Sequence, residues 1–112
     1  MFGITSETRV FLRTGVTDGR LGVEALRGLV STVLHENARG GHLFAFCNGR
    51  ANRVKLLWYH EGGLYLAAKR MDRGALQWPR TEAGAARMST AQLLLLLKGV
   101  EFRRADAPRY RR

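Results

Sequence analysis

Basic and aromatic residues recur at every second position in two stretches of the chain, and this spacing indicates which chemistry they can perform. Alternate residues of a β-strand lie on one face, so Arg53, Lys55 and Tyr59 share a face of one predicted strand, as do Tyr65 and Lys69 on the next. Arginine and lysine neutralise phosphates, and tyrosine stacks on unpaired bases. The pattern favours nucleic-acid binding, although the solvated face of an antiparallel sheet also often contains charged residues.

Further basic residues extend this candidate surface. A predicted strand over residues 8–14 adds two arginines to the same face, and the C-terminal segment 101–112 reads as a basic arm that adds non-specific affinity. No acidic residue occupies the predicted sheet face. The predicted nucleic-acid-binding residues are Arg9, Arg13, Arg53, Lys55, Tyr59, Tyr65, Lys69, Arg70, Arg103 and Arg104.

The overall charge points to the same class of partner. The chain of 112 residues has a formal net charge of +10, which on one small domain favours a polyanion such as nucleic acid. A GC-rich genome would explain the choice of arginine over lysine but not the size of the positive surplus. The hydrophobic content of 46% is ordinary for a globular protein and argues against disorder along the whole length.

No pattern of residues indicates catalysis, a metal or a cofactor. The three histidines and Cys47 lack a recognised zinc spacing. A metal-dependent nuclease needs converging carboxylates, and nothing in the sequence requires Asp18, Asp72 and Glu82 to meet. Phosphate-binding and dinucleotide-binding glycine motifs are absent from the sequence. We therefore expect a protein that is not an enzyme and has no cofactor.

Localisation follows from the cysteine count and the hydropathy pattern. A single cysteine excludes an intramolecular disulfide and fits a reducing compartment. The N-terminus lacks the pattern of a secretory signal, and the leucine run 93–97 is far shorter than the roughly 20 residues that span a bilayer. We expect a cytoplasmic protein without membrane contact; the oligomeric state is left open.

The segment Gly15-Val16-Thr17-Asp18-Gly19-Arg20 has two interpretations. A glycine-flanked helix N-terminus with Arg20 would bind a phosphate through backbone N–H groups. Alternatively Thr17 or Asp18 caps the helix, and the Asp18 carboxylate then occupies the position that an anion would take. The cap is favoured.

The elements that position these residues form a predicted α+β domain over residues 1–100. A strand at 8–14 and a helix at 19–36 precede a meander of strands at 43–47, 53–60 and 64–71, followed by a short edge strand at 76–79, a loop at 80–88 and a helix at 89–98. A three-residue turn, Glu61-Gly62-Gly63, would place Lys55 opposite Lys69. We expect a mainly antiparallel sheet of four or five strands, with two hairpins and with both helices on one face.

Four motifs also occur in the order found in one known family. They are Thr17-Asp18-Gly19-Arg20, Arg53-Val54-Lys55-Leu56-Leu57-Trp58, Lys69-Arg70-Met71-Asp72-Arg73-Gly74 and Trp78-Pro79, and Gln92 to Val100 matches the family's closing helix. The chain resembles the small accessory protein, the TnpB-type product of the second open reading frame, of the sixty-six family of bacterial insertion sequences. It departs from that family at Gly19 and Leu21, where methionine and lysine are usual, and at Tyr59, where an acid is common.

The resemblance implies participation in transposition beside a separate, larger transposase. Combined with the basic surface, it leads to the expectation of a non-catalytic accessory protein that binds DNA, or a transposase–DNA complex, through the sheet face and the C-terminal arm. The alternative is a protein-interaction module that docks on the transposase with little direct DNA contact.

Overall fold

Alternating and continuous apolar runs fold into five strands and two helices. The structure is a computed structural model that describes residues 2–99. The elements are β1 (Arg9–Arg13), α1 (Val23–Thr32), β2 (Leu43–Cys47), β3 (Arg53–His60), β4 (Gly63–Arg70), β5 (Ala85–Ser89) and α2 (Thr90–Leu97). The predicted arm at 101–112, including Arg103 and Arg104, lies outside the described residues.

The five strands form one sheet in the order β4-β3-β2-β1-β5. Neighbouring strands are antiparallel except β1 and β2, which are parallel and are connected through α1. The predicted α+β class, the single domain and the mainly antiparallel sheet with two helices are thereby confirmed.

The fifth strand lies elsewhere than predicted. Residues 76–79 are irregular, whereas Ala85–Ser89, of which residues 85–88 were predicted as a loop, pairs with β1 along its whole length. Leu76 and Trp78 are buried in the core without joining the sheet, and the Trp78 indole N–H donates to the Arg13 carbonyl at 2.9 Å. Because β5 consists mostly of small residues, with Met88 as its only large apolar one, its alternation is weak in the sequence.

The two helices cover opposite faces of the sheet, so the prediction of both on one face is wrong. One face, here the α1 face, packs Phe11, Phe44 and Leu57 against α1, while the other, the α2 face, packs a separate cluster that includes Val10 and Leu12 against α2. The physical reason is that the central strands are apolar on both sides; all five residues of β2 are buried. Such strands require a layer on each face.

The β3–β4 register differs from the predicted one by a residue. The turn contains two residues, Glu61 and Gly62, both with positive φ, so that His60 pairs with Gly63. Two-residue turns with this backbone match the twist of a hairpin. Lys55 therefore lies opposite Ala68, and Lys69 opposite Val54. The predicted Lys55–Lys69 pair is wrong, and Arg53 and Arg70 form the like-charged pair instead.

The two helices differ in how they begin. Helix α1 starts at Val23, after Gly22 and without a side-chain cap, so the predicted cap by Thr17 or Asp18 is wrong. Helix α2 has the predicted capping box, since the Ser89 hydroxyl accepts from the Gln92 backbone N–H and the Gln92 side chain accepts from the Ser89 N–H.

Candidate nucleic-acid interface

A basic groove of about 350 Å³ opens at the end of the sheet where β3 begins and β4 ends. The groove crosses the edge of the sheet, because strand alternation places Arg53, Lys55 and Arg70 on the α1 face and Lys69 on the α2 face. The lining residues, which define the basic groove below, are Gly19, Arg53, Val54, Lys55, Ala68, Lys69 and Arg70.

Arg53 and Arg70 are the two exposed cations of the α1 face in this groove. They lie directly opposite each other in the ladder, an arrangement that destabilises a strand pair. Within residues 2–99, neither forms an ion pair with an acidic residue. Two exposed arginines at opposite positions of the ladder, neither paired with a carboxylate, make this part of the groove positively charged, and the planar donor sets of guanidinium groups suit phosphate.

The two lysines of the groove hold structural positions. The half-buried Lys55 donates its Nζ to the Leu21 carbonyl at 2.6 Å, which ties β3 to the segment that leads into α1. Lys69 donates its Nζ to the Leu97 carbonyl at the C-terminus of α2, where carbonyls lack helical partners and a positive charge is favourable. Both lysines place their side-chain nitrogen beside the groove while fixing its walls.

The segment 15–20 contributes Gly19 to the lining of the groove. The Thr17 N–H donates to the Cys47 carbonyl at 2.9 Å, and Gly19 packs so closely on Arg53 that a Cβ at Gly19 would lie 3.3 Å from the Arg53 Cδ. This glycine lets the loop approach the arginine stem. Since α1 begins only at Val23, the segment is not the first turn of a helix, and both sequence-based interpretations of it need revision.

Asp18 and Arg20 are bonded to each other within this loop. The Asp18 carboxylate accepts the Arg20 backbone N–H at 2.9 Å and its guanidinium at 2.9 Å. These bonds from the Arg20 side chain and backbone lower the pKa of Asp18 to about 2. The carboxylate is therefore charged at every physiological pH and forms an ion pair with the exposed Arg20.

Arg80 connects the ends of two strands, a role that the sequence did not reveal. Its Nη1 donates to the carbonyls of Thr14 and Gly15 at 3.2 and 3.1 Å, and its Nη2 donates to the Asn48 carbonyl. The guanidinium thus holds the chain after β1 against the turn after β2. In the sequence, the only feature that marks Arg80 is its position directly after Trp78-Pro79. It otherwise looks like any basic residue of a loop, so this role could not be predicted.

Asn48 fixes the direction in which Arg53 leaves the β2–β3 turn. Its side-chain oxygen accepts the backbone N–H groups of Asn52 and Arg53, both at 3.0 Å, and its amide donates to the Asn52 side chain at 2.7 Å. Asparagine readily forms such local bonds in turns. The geometry of the basic groove therefore depends on uncharged turn residues as well as on cations.

The remaining predicted residues lie away from the groove. Arg13 is at the same end of the sheet but two strands away, with its Nη1 3.4 Å from the Thr17 hydroxyl, and Arg9 is at the opposite end of β1. Tyr59 is on the α1 face toward the far end of β3, with the Arg39 guanidinium 5.7 Å from its ring centroid. The structure thus brings four of the predicted residues together: Arg53, Lys55, Lys69 and Arg70.

Tyr65 lies on the α2 face, so the expectation of one basic face interleaved with both tyrosines is wrong. The one-residue change in register moves Tyr65 opposite Trp58, and the two rings stack with centroids 5.4 Å apart. Phe2 also stacks on Tyr65, at 5.5 Å, while its carbonyl accepts the Trp58 indole N–H. Tyr65 is therefore part of an aromatic stack that anchors the N-terminal segment.

The single cysteine of the chain, Cys47, is a buried thiol and not an accessible nucleophile. It is 1% exposed, and burial raises the pKa of its thiol to about 11. A thiol that stays protonated at neutral pH is a poor nucleophile.

Across residues 2–99, no three His, Cys, Asp or Glu side chains are grouped so that they could hold a metal ion. None of the helices in these residues is long and apolar enough to cross a membrane.

Comparison with known proteins identifies the family. The family described as IS66 Orf2 like protein matches residues 8–107. Two proteins of Sinorhizobium fredii (strain NBRC 101917 / NGR234) are similar: uncharacterized protein y4hO is 41% identical over 85% of this chain and 83% of its own length, and uncharacterized protein y4jC is 28% identical over 93% and 89%. No solved structure matches. The chain belongs to the IS66 Orf2-like family of insertion-sequence proteins, and this membership supports an accessory role in transposition.

Proposed function

We propose that this protein is a non-catalytic accessory factor of transposition that binds DNA, alone or together with the transposase, by contacting phosphates at the basic groove. The single observation that carries the proposal is the Arg53–Arg70 pair, two exposed arginines directly opposite each other in the β3–β4 ladder with no acidic partner in the described part of the chain. Phosphate binding would offset the repulsion between them.

The residues around the groove divide into two roles in this proposal. Arg53 and Arg70 contact phosphate, and Lys55 and Lys69 hold the walls while contributing positive potential. Arg103, Arg104 and the other arginines of the C-terminal segment add affinity that does not depend on DNA sequence. Tyr65 has no stacking role here, because its ring already stacks on two neighbours.

The non-catalytic part of the proposal is supported by the state of the candidate catalytic groups. The Cys47 thiol is buried and protonated, and the Asp18 carboxylate is engaged by Arg20. A direct test incubates the protein with supercoiled DNA and either magnesium or manganese. We expect no nicking by the unaltered protein, and metal-dependent nicking would contradict this part of the proposal.

A salt series tests DNA binding. Fluorescence anisotropy with a duplex from the element's terminal repeat, and with a random duplex of equal length, measures Kd at several salt concentrations. The proposal expects log K to fall linearly with log salt for both duplexes, since phosphate contacts release counterions. Absence of binding to either duplex at low salt would refute it.

A second candidate function is docking on the transposase with little DNA contact. The observation that favours it is the outer side of α2, where Leu94 and Leu95 are 54% and 40% exposed. A pull-down with purified transposase in the presence of nuclease separates the two functions. A complex that survives nuclease and is lost in Leu94→Lys, with no DNA binding by the protein alone, would favour docking.

A further inference from the structure

We propose that the outer edge of β4 is a self-association surface, at which a second copy of this chain adds an antiparallel strand and extends the sheet to ten strands. Within residues 2–99, no strand pairs with this edge. β4 is eight residues long and pairs with β3 without a bulge from Gly63 to Arg70. A long, regular and apolar edge is a template for strand addition.

The backbone of β4 presents regularly spaced hydrogen-bonding groups at this edge. Hydrogen-bonded and non-hydrogen-bonded pairs alternate along an antiparallel ladder. The β3–β4 ladder begins at the His60–Gly63 pair. Beyond its other end, the Met71 N–H donates to the Asn52 carbonyl at 2.8 Å, and this bond shows which pairs of the ladder are hydrogen-bonded. Leu64, Leu66, Ala68 and Arg70 therefore direct their N–H and C=O groups away from β3, toward the open edge.

The opposite edge of the sheet is protected in ways that β4 is not. β5 has only five residues, and an exposed arginine, Arg87, stands at its centre over the Phe11 ring. Short edge strands with a central charge discourage pairing. In β4 the central residues 64–68 are uncharged, with Tyr65 and Leu66 37% and 36% exposed, and the two cations are confined to the C-terminal end. The unprotected edge is thus specific to β4.

The position of these cations selects a second copy in antiparallel orientation. A parallel copy would place Lys69 and Arg70 beside their counterparts, which is unfavourable. In an antiparallel pair they lie at opposite ends, each facing uncharged residues. Side chains must also stay on matching faces, and of the registers that allow this, the two that pair most of Gly63–Arg70 place the two-fold axis at Leu66 or at Ala67. In the first register Leu66 faces its own copy; in the second Ala67 does, and Lys69 faces Tyr65 of the second copy.

Either register places two basic grooves on one assembly. Since a strand rises about 3.3 Å per residue, the two Arg70 positions lie roughly 26 Å apart in the Leu66 register and roughly 20 Å apart in the Ala67 register. The α1 faces of both copies form one continuous surface, with a groove toward each end. Self-association would therefore produce a bivalent cationic surface, although the inference itself does not depend on DNA binding.

Variants with one added cysteine test the contact. Leu66→Cys and Ala67→Cys each introduce one thiol at a possible two-fold axis, and Arg87→Cys on β5 is the matched edge control. The native Cys47 is 1% exposed and does not compete. Under mild oxidation at micromolar protein, one of the two β4 variants should form disulfide dimers at least about tenfold faster than the control, because pairing raises the effective thiol concentration to the millimolar range. The variant that reacts identifies the register.

Sedimentation of the full chain provides a second readout. The unaltered protein should show a dimer that grows with concentration and with salt, which screens the repulsion between two chains of net charge +10. Leu66→Lys should shift the protein to monomer, whereas Leu94→Lys, the same change at an exposed leucine of α2, should not; circular dichroism confirms that both are folded. Monomer at every concentration, or β4 cross-linking no faster than that of Arg87→Cys, would overturn the proposal and leave DNA binding untouched.

Discussion

Removing the Arg53–Arg70 pair should weaken DNA binding and stabilise the fold at the same time. The double variant Arg53→Gln, Arg70→Gln keeps polar, hydrogen-bonding side chains but deletes both charges. If each arginine contacts one phosphate, the slope of log K against log salt becomes less steep by about 0.9 per contact, or about 1.8 in total. Raising the salt from about 50 to about 200 mM lowers the affinity of both proteins. The factor by which it lowers the affinity should be about twelvefold smaller for the double variant than for the unaltered protein.

The double variant should lose DNA affinity but not stability, because the β3–β4 register places the two positive charges opposite each other. The two arginines lie directly opposite each other, and like-charged pairs in a ladder are unfavourable by roughly 0.2–1 kcal/mol. Urea unfolding of the double variant should therefore give a free energy of unfolding equal to or higher than that of the unaltered protein. A gain in stability together with a loss of binding is the signature of residues kept for a ligand.

A charge-matched control separates the groove from net charge. Arg27→Gln, Arg39→Gln removes the same two charges from another surface depression, formed by α1 and the loop that follows it. Anisotropy titrations of both double variants should show a reduced slope for the groove variant alone. An equal reduction in both variants would show that binding follows overall charge, and an unchanged slope in the groove variant would refute the assignment of Arg53 and Arg70.

Three further predictions concern the parts that support the groove. Arg80→Gln loses the bonds to the carbonyls of two turns and should lower the free energy of unfolding by about 1–3 kcal/mol, measured in urea; an unchanged midpoint would show that the bonds contribute nothing. Ser89→Ala removes the cap of α2 and should cost about 0.5–2 kcal/mol, whereas Ser89→Asp, which can cap, should retain most of the stability. Burial raises the pKa of Cys47 to about 11 from an ordinary value of 9, so the protonated thiol favours the folded state. The contribution of the thiol to the free energy of unfolding should be complete below pH 9 and be lost as pH rises through 11. Cys47→Ala should lack that part of the pH dependence of stability.

Local patterns predicted most of the elements. Strands β2 and β3 have the bounds expected from alternation and flanking turns, and the Ser89–Gln92 capping box marks the start of α2. These features depend on neighbouring residues, which the sequence displays directly. Strand β5 depends instead on a partner about 80 residues away, and its small side chains leave little periodic signal.

Only part of the candidate site was predicted from the sequence, because the length of the β3–β4 turn could not be determined from it. Three-residue and two-residue turns were both compatible with Glu61-Gly62-Gly63, and the choice between them decides the face on which Tyr65 and Lys69 lie. The cations of the groove were identified by type, but the hydrogen bonds that engage Lys55 and Lys69 join residues 34 and 28 positions apart. Contacts at that range require the tertiary structure.

The pairing of β1 with β5 has a consequence for synthesis of the chain. Arg9 pairs with Ser89, so β1 leaves the ribosome first but lacks one of its two partners until almost the whole domain has been made. Until then Val10, Phe11 and Leu12 form an open edge whose backbone groups are unpaired. Closing this long loop is the slow, entropically costly step. A chain that ends before β5 would keep that apolar edge permanently open, so incomplete products should aggregate or be degraded rather than accumulate as partial domains.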